Sequence, residues 1–226
     1  MRALRREDFR RIDRYAIETL GVIGVVLMEN AGRAATDAIE RFLGGCTGRK
    51  IAVVAGAGNN GGDGFVIARH LAVRGAAVTT FLAAAADKIT ADAAANLAIL
   101  RKLRHDVRSP DAEELGGLAE SLRPFDLIVD AIGGTGISGP LRGTAAVAVE
   151  AVNAAARPVV AIDIPTGLDC DTGQAHAPSI RAAMTVTFVA AKTGFDSPGA
   201  AVYTGKVVVA DIGIPAEIVA ILMGMS

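Results

Sequence analysis

Three apolar runs in this chain end abruptly in polar, glycine-rich turns: "IAVVAGAGNNGGDG" from residue 51, "LIVDAIGGTG" from residue 127 and "VVAIDIPTG" from residue 159. Continuous apolar runs of this length, rich in Val and Ile, suit strands buried on both faces of a parallel sheet. Helical patterns separate them. Phe9, Ile12, Ala16 and Leu20 recur at helical spacing over residues 7–18, before Gly21 and Gly24 interrupt the pattern. Leu27, Met28, Ala31, Ala35, Ile39 and Leu43 make a second stripe over 27–43. Further helices are predicted from about Gly64 to Val73 and over 90–103, 114–122 (weaker) and 145–156, with a short one at 215–223. Further strands are predicted at 76–83, 182–192 and 206–213. Alternating strands and helices predict an α/β fold: a Rossmann-like, doubly wound, mostly parallel sheet with right-handed crossovers, helices on both faces and extra N-terminal helices. The 226 residues show no long linker, repeat or low-complexity stretch, and read as a single domain.

In such sheets ligands bind beyond the carboxyl ends of the strands. The three loops, after Ala55, Asp130 and Asp163, are therefore expected to line one crevice. In the first, Gly56, Gly58, Gly61, Gly62 and Gly64 read as residues permitting positive φ and close backbone approach to an anion. The spacing departs from GxGxxG and lacks the GK[ST] of a P-loop. No acidic ribose ligand ends the next strand; only Asp87 lies beyond it. Asp63 reads equally as a helix cap or as a ligand contact. Asn60 offers a carbonyl oxygen where glycine alone could turn the chain. Gly133, Gly134, Gly136 and Gly139 open the second loop, with Thr135 and Ser138 as donors. An unpaired Asp163 inside Val-Val-Ala-Ile-Asp-Ile would be costly, so it must reach the crevice or find a partner. Lys192, one of five lysines, follows the buried-looking "TVTFVAA" and supplies a cation.

Composition excludes other classes. Net charge is −1 and the isoelectric point about 6.3, against a nucleic-acid surface. Mean hydropathy is +0.41, raised by alanine and valine, but the longest apolar run, near Phe81–Ala86, is far shorter than the roughly 20 residues of a membrane span. Cys46 and Cys170 form no CxxC and read as free thiols in a reducing, cytoplasmic setting. The charged N-terminus reads as a surface helix and carries no secretory core. His70, His105 and His176 show no triad or zinc spacing.

"LMENAG" (27–32), "GAGNNGGDGFVIARHL" (56–71), "VDAIGGTG" (129–136), "IDIPTGLD" (162–169) and "TFVAAKTG" (187–194) together resemble the NAD(P)H-hydrate epimerases, the YjeF N-terminal domain family. The likeness runs from about residue 5 to 220. It implies interconversion of the R and S forms of NADHX and NADPHX, which are NADH and NADPH hydrated on the nicotinamide ring, by acid/base-assisted loss and return of the ring hydroxyl. It implies a homodimer with one potassium ion per subunit, no redox cofactor, and an ADP- or ATP-dependent dehydratase as functional partner. That dehydratase domain is absent from this sequence, so the chain is expected to be a stand-alone epimerase or one half of a longer protein. By the same resemblance, Asn59, Asn60, Gly61, Gly62 and Asp63 would meet the phosphate and ribose. Gly134, Thr135, Gly136, Ile137, Ser138, Gly139 and Pro140 would also hold substrate. Asn60, Asp130 and Thr166 would bind potassium. Asp163 would contact the hydrated ring as acid/base, with Lys192 as second proton carrier or electrostatic anchor. Family members often have Ser in place of Thr166, which keeps the hydroxyl, and a basic residue in place of Ser138, whose loss is expected to weaken phosphate affinity. Two other classes compete with this reading: a non-catalytic nucleotide-binding or protein-interaction module, disfavoured by Asp163, Lys192 and the potassium set; and an ordinary NAD(P)-dependent oxidoreductase, disfavoured by the missing ribose carboxylate.

Overall fold

The computed structural model describes residues 2–224. Helices α1 (Arg6–Glu18) and α2 (Gly24–Leu43) precede β1 (Lys50–Ala55), α3 (Asn59–Val73), β2 (Ala77–Leu82), α4 (Ala91–Lys102) and β3 (Asp106–Arg108). Then come α5 (Ala112–Gly116), α6 (Leu118–Leu122), β4 (Leu127–Ala131), α7 (Gly143–Ala154), β5 (Val159–Ile162) and β6 (Met184–Phe188). The chain closes with α8 (Ala201–Thr204), β7 (Lys206–Ala210) and α9 (Ala216–Leu222).

Among the described residues the strands form a seven-stranded sheet in the order β3-β2-β1-β4-β5-β6-β7, with every pairing parallel. Period-two alternation splits the core in two. Ile51, Val53 and Ala55 of β1 pack under α1 to α4 and α9, while Ala52 and Val54 pack under α6 and α7. The strand order reverses between β1 and β4. That reversal leaves a crevice between the segments that follow the two strands.

Several boundaries differ from those expected. α3 begins at Asn59, not Gly64, so the Asn-Asn-Gly-Gly-Asp segment is the first turn of the helix itself. Gly56, Gly58, Gly61, Gly62 and Gly64 all lack positive φ. Four of them are instead required by close packing. A Cβ on Gly56 would run into the Ile132 carbonyl, one on Gly61 into the Gly56 carbonyl, and one on Gly62 would lie 2.5 Å from the Met28 side chain. One on Gly64 would lie 2.6 Å from Ala131. The segment 114–122 is two short helices, broken at Gly116–Gly117. β3 was not expected, because its sequence, Asp-Val-Arg, has two charged residues out of three and an edge strand needs little apolar surface. Leu20, expected in the apolar stripe of α1, is exposed. Both cysteines are free and buried. No helix among the described residues is long and apolar enough to cross a membrane.

The N-terminal segment is stitched to the far end of the chain. Leu4 makes a parallel bridge to Lys192: its N–H donates to Ala191 O at 2.9 Å, and Thr193 N–H donates to Leu4 O at 2.9 Å. The Arg6 N–H donates to Asp171 Oδ1 at 2.7 Å and its guanidinium pairs with Asp169 at 3.0 Å. These contacts fix the start of α1 over the carboxyl ends of β5 and β6.

Candidate active site

β5 and β6 both end in a strained turn. Asp163 has φ +67° with Ile164 N–H donating to Ile162 O at 2.8 Å. Val189 has φ +67° with Ala190 N–H donating to Phe188 O at 2.7 Å. Each is a three-residue γ-turn of the left-handed kind, rare for any residue and an outlier for a β-branched one. Such strain, of order 1–3 kcal/mol per residue, concentrates where a site needs a side chain aimed off the strand axis. Here it delivers Asp163 and Val189 to the wall of one cavity of about 610 Å³.

Lys192 follows the second of these turns. Its ammonium lies 2.6 Å from Asp163 Oδ1 and 3.7 Å from the centre of the Phe9 ring. The lysine side chain is 1% exposed and the aspartate 17%. A lone buried ammonium would be expensive, and this one is held by a carboxylate on one side and an aromatic face on the other. The lysine is therefore a buried cation of the crevice and not a solvated strand-end side chain. Asp163 Oδ2 accepts the Thr135 N–H at 3.2 Å, which leaves the carboxylate fixed from both sides.

Beneath the second loop, Asp130 is fully buried. Its Oδ2 accepts the Thr166 N–H at 2.9 Å, and its Oδ1 accepts the Thr166 hydroxyl at 2.7 Å and the Ile132 N–H at 3.2 Å. Burial pushes the carboxyl up to about 6 against the pull of those bonds. Thr166 Oγ1 also accepts the Gly133 N–H at 3.0 Å. Asn60, 8% exposed, is different: its amide oxygen and nitrogen are both buried and unpartnered. Gly134 is wedged beside it, since a Cβ there would lie 3.5 Å from Asn60 and 2.9 Å from Asp163 Oδ2. An orphaned amide oxygen beside a loop that rests on a buried carboxylate and a hydroxyl is a hard-oxygen donor set. It fits a monovalent cation such as potassium.

Asn59, Asn60, Asp63, Gly134, Thr135, Gly136, Ile137, Asp163 and Lys192 all line the cavity. Gly61 and Gly62 are buried behind it as packing spacers. Ser138, Gly139 and Pro140 lie off its wall, Ser138 and Pro140 exposed to solvent. Asn59 Oδ1 is engaged by the Thr90 hydroxyl at 3.1 Å. Asp63 does not cap α3, whose N-cap is Gly58; it faces the cavity. Burial, reinforced by Asp163 and Asp13, holds its carboxyl well above the usual range.

The wall also contains residues that sequence reasoning passed over. Phe9, Asp13 and Ile17 of α1 face the cavity at four-residue spacing. The signal was present as a second stripe beside Ile12 and Ala16, hidden because a surface aspartate is the commonest reading of a charge on an N-terminal helix. Burial, then Asp163, raise the Asp13 carboxyl to about 6, with Lys192 opposing. Lys192 is the single cationic side chain on the wall among the described residues, against Asp13, Asp63, Asp92 and Asp163.

Residues 24–194 match the family described as YjeF-related protein N-terminus. The chain belongs to this family. It is 42% identical to an NAD(P)H-hydrate epimerase of Rhodopirellula baltica over 94% of this chain and 84% of that protein. It is 40% identical to an NAD(P)H-hydrate epimerase of Pirellula staleyi over 93% of this chain and 92% of that one. A bifunctional NAD(P)H-hydrate repair enzyme, Nnr, of Moorella thermoacetica is 43% identical over 94% of this chain, which spans 41% of that longer protein. Among solved structures, the crystal structure of yeast ynu0, YNL200c, superposes with a TM-score of 0.75 at 30% identity, covering 86% of this chain and 83% of that one. The expected fold and family are thus both found.

Proposed function

We propose that this chain is an NAD(P)H-hydrate epimerase that interconverts the R and S forms of hydrated NADH and NADPH. The observation that carries the reading is the Asp163–Lys192 pair, fixed at 2.6 Å and opening into a cavity at the sheet's switch point. Relatives spanning most of this chain bear the epimerase name, which supports the choice of substrate.

The damaged ring carries a hydroxyl on the carbon next to its nitrogen. Loss of that hydroxyl needs a proton, and its return needs a base. The nitrogen lone pair supports the planar, iminium-like species between. Asp163 is placed to give and take the proton, with Lys192 holding its charge and position. The free N–H groups of the first turn of α3 would meet the substrate phosphates, helped by the helix dipole. The Gly134–Ile137 segment would close over the ribose, while Ser138 to Pro140 would contact substrate only if the loop moved.

Asn60, Asp130 and Thr166 would hold potassium, as their oxygens and the orphaned amide fit it. When bound, the ion would offset negative charge where phosphates meet an acidic wall. A homodimer is proposed through Ile17, Leu20, Ile23 and Val26, large apolar residues exposed at the junction of α1 and α2. The functional partner would be an ADP- or ATP-dependent dehydratase, consistent with the greater length of the bifunctional relatives. Cytoplasmic residence fits the two free thiols.

The test is epimerisation of purified R-form hydrated NADH, followed by chromatography against the spontaneous rate. Acceleration that falls when sodium replaces potassium supports the reading. A rate equal to background, with folded protein and potassium present, would reject it.

A further inference from the structure

Epimerisation has a stereochemical demand that one fixed acid/base does not meet. The hydroxyl leaves one face of the ring and must return to the other. A single carboxylate on one wall would protonate the leaving hydroxyl and then activate water on the same side, which regenerates the starting epimer. Inversion needs a second proton-transfer group on another wall, or release and rotation of the ring.

The cavity contains such a group. Asp13 stands on α1, Asp63 on α3, and the Asp163–Lys192 pair at the ends of β5 and β6. Asp63 on α3 also lines the cavity but is half-buried, and its neighbours Gly62 and Gly64 are packed tightly into the core, whereas Asp13 is exposed. Asp13 is open to the cavity and makes no hydrogen bond or ion pair within the described residues, so its carboxyl is free for substrate or water. It is not free to wander. It sits one turn beyond Phe9, whose ring covers the Lys192 ammonium, on a helix whose start is pinned by Leu4 and Arg6. The groups that face it electrostatically are Asp163, which raises its affinity for a proton, Lys192, which lowers it, and Asp63, which is coupled to it. Four carboxyls, Asp13, Asp63, Asp92 and Asp163, share the wall with one ammonium, so their mutual repulsion favours the retention of a proton among them.

We propose that Asp13 is the second proton-transfer group of the epimerase, serving the ring face opposite to that served by Asp163 and Lys192. The inference rests on the epimerase reading above. In one direction the Asp13 carboxyl gives its proton to the ring hydroxyl. The carbon–oxygen bond breaks, its electron pair leaves with the oxygen as water, and the ring nitrogen lone pair closes the iminium bond. Water then adds to the other face. Its oxygen forms the new bond, the iminium pair returns to nitrogen, and its surplus proton passes to the Asp163 carboxylate beside Lys192. Cavity water returns the proton from Asp163 to Asp13, which is open to it. The reverse direction exchanges the roles. No electron acceptor is involved.

The experiment supplies each hydrated NADH epimer separately to the full chain in heavy-oxygen water, with potassium. Epimer ratio is read by chromatography and hydroxyl labelling by mass spectrometry. The wild type should label and interconvert both epimers. Asp13→Asn should slow interconversion by about 10²–10⁴-fold, while one epimer, and not the other, still exchanges its hydroxyl without inverting. Asp163→Asn should leave the opposite epimer exchanging. Asp13→Glu should restore part of the interconversion. A merely structural role would not produce one-sided exchange. Interconversion by Asp13→Asn at the wild-type rate would overturn the proposal, as would equal loss of labelling from both epimers in a variant with an unchanged circular dichroism spectrum. Wild-type protein at background in both readouts would instead remove the epimerase reading on which the proposal stands.

Discussion

Lys192 and Asp163 form an ion pair at 2.6 Å on the cavity wall in which the aspartate is the more open partner, 17% exposed against 1% for the lysine. The lysine contributes charge from beneath. In the proposed reaction this difference separates the two roles: Asp163 would exchange protons with the ligand, and Lys192 would hold Asp163 in position.

Replacement of either partner should therefore be felt chiefly in turnover. Asp163→Asn keeps the shape and the Thr135 hydrogen bond but loses proton transfer. A fall of about 10²–10⁴-fold in the epimerisation rate is expected, with substrate still binding. Lys192→Met keeps the length of the stem against Phe9 and should lose turnover by a similar order. Rates and substrate affinity measured on both variants check this; unchanged turnover in either would remove that residue from the chemistry.

Glycines of the loops after β1 and β4 should differ sharply in tolerance. A methyl group on Gly56 meets the backbone carbonyl of Ile132, which cannot swing away, so Gly56→Ala should destabilise by about 1–3 kcal/mol or more. A methyl on Gly136 meets nothing within 4 Å, and φ there is not positive. Gly136→Ala should leave the melting temperature close to that of the wild type. Denaturant titration of the pair decides whether close packing, not turn conformation, selects glycine here.

This contrast marks a boundary of what the amino-acid order discloses. The strands announced themselves, because burial on both faces demands the unbroken apolar runs seen from Ile51, Leu127 and Val159. The loops at their ends were legible for the same reason: polar residues directly after such runs have to lie at a sheet edge. Gly61 and Gly62 announced only that a Cβ was unwelcome. Whether φ or a neighbouring backbone forbids it is a three-dimensional matter. Val189 gave no sign of its left-handed turn, since β-branched residues shun positive φ, and Asp163, a residue type that tolerates it, gave no sign that it adopts it here. Asp13 was concealed by helical geometry, in which one helix serves the core through Ile12 and Ala16 and the cavity through Phe9, Asp13 and Ile17.

Stability should depend on pH through Asp63. Burial, with Asp163 and Asp13 nearby, raises its native carboxyl well above 3.8. Between 3.8 and the native value the folded state holds a proton that the unfolded state has released. Its contribution to stability therefore declines as pH rises through that window, by at most about 1.4 kcal/mol per pH unit. Asp63→Asn removes that titration. The variant should show a flatter profile and stand above the wild type at the alkaline end of the window. Urea midpoints from pH 4 to 8 test this, and parallel profiles would contradict it.

Thiol chemistry should be silent in the native protein. Burial pushes the Cys170 thiol up to about 12, and burial followed by Glu40 raises Cys46. Since the thiolate is the reactive species, both should resist a disulfide reagent at pH 8 until the chain unfolds. Rapid labelling of either in folded protein, counted by mass spectrometry, would show that the sites open locally.

The bridge between Leu4 and Lys192 has a consequence for how the protein comes into being. Leu4 must wait for a residue made 188 positions later. Until residue 193 has emerged, Asp163 has no ammonium beside it, the ring of Phe9 has nothing to cover, and α1 has no edge on which to settle. A stalled or prematurely ended product can build most of the sheet, yet it lacks a whole wall of the cavity. The cavity wall is therefore completed only once residue 193 has been made, and shorter products lack the Asp163–Lys192 pair.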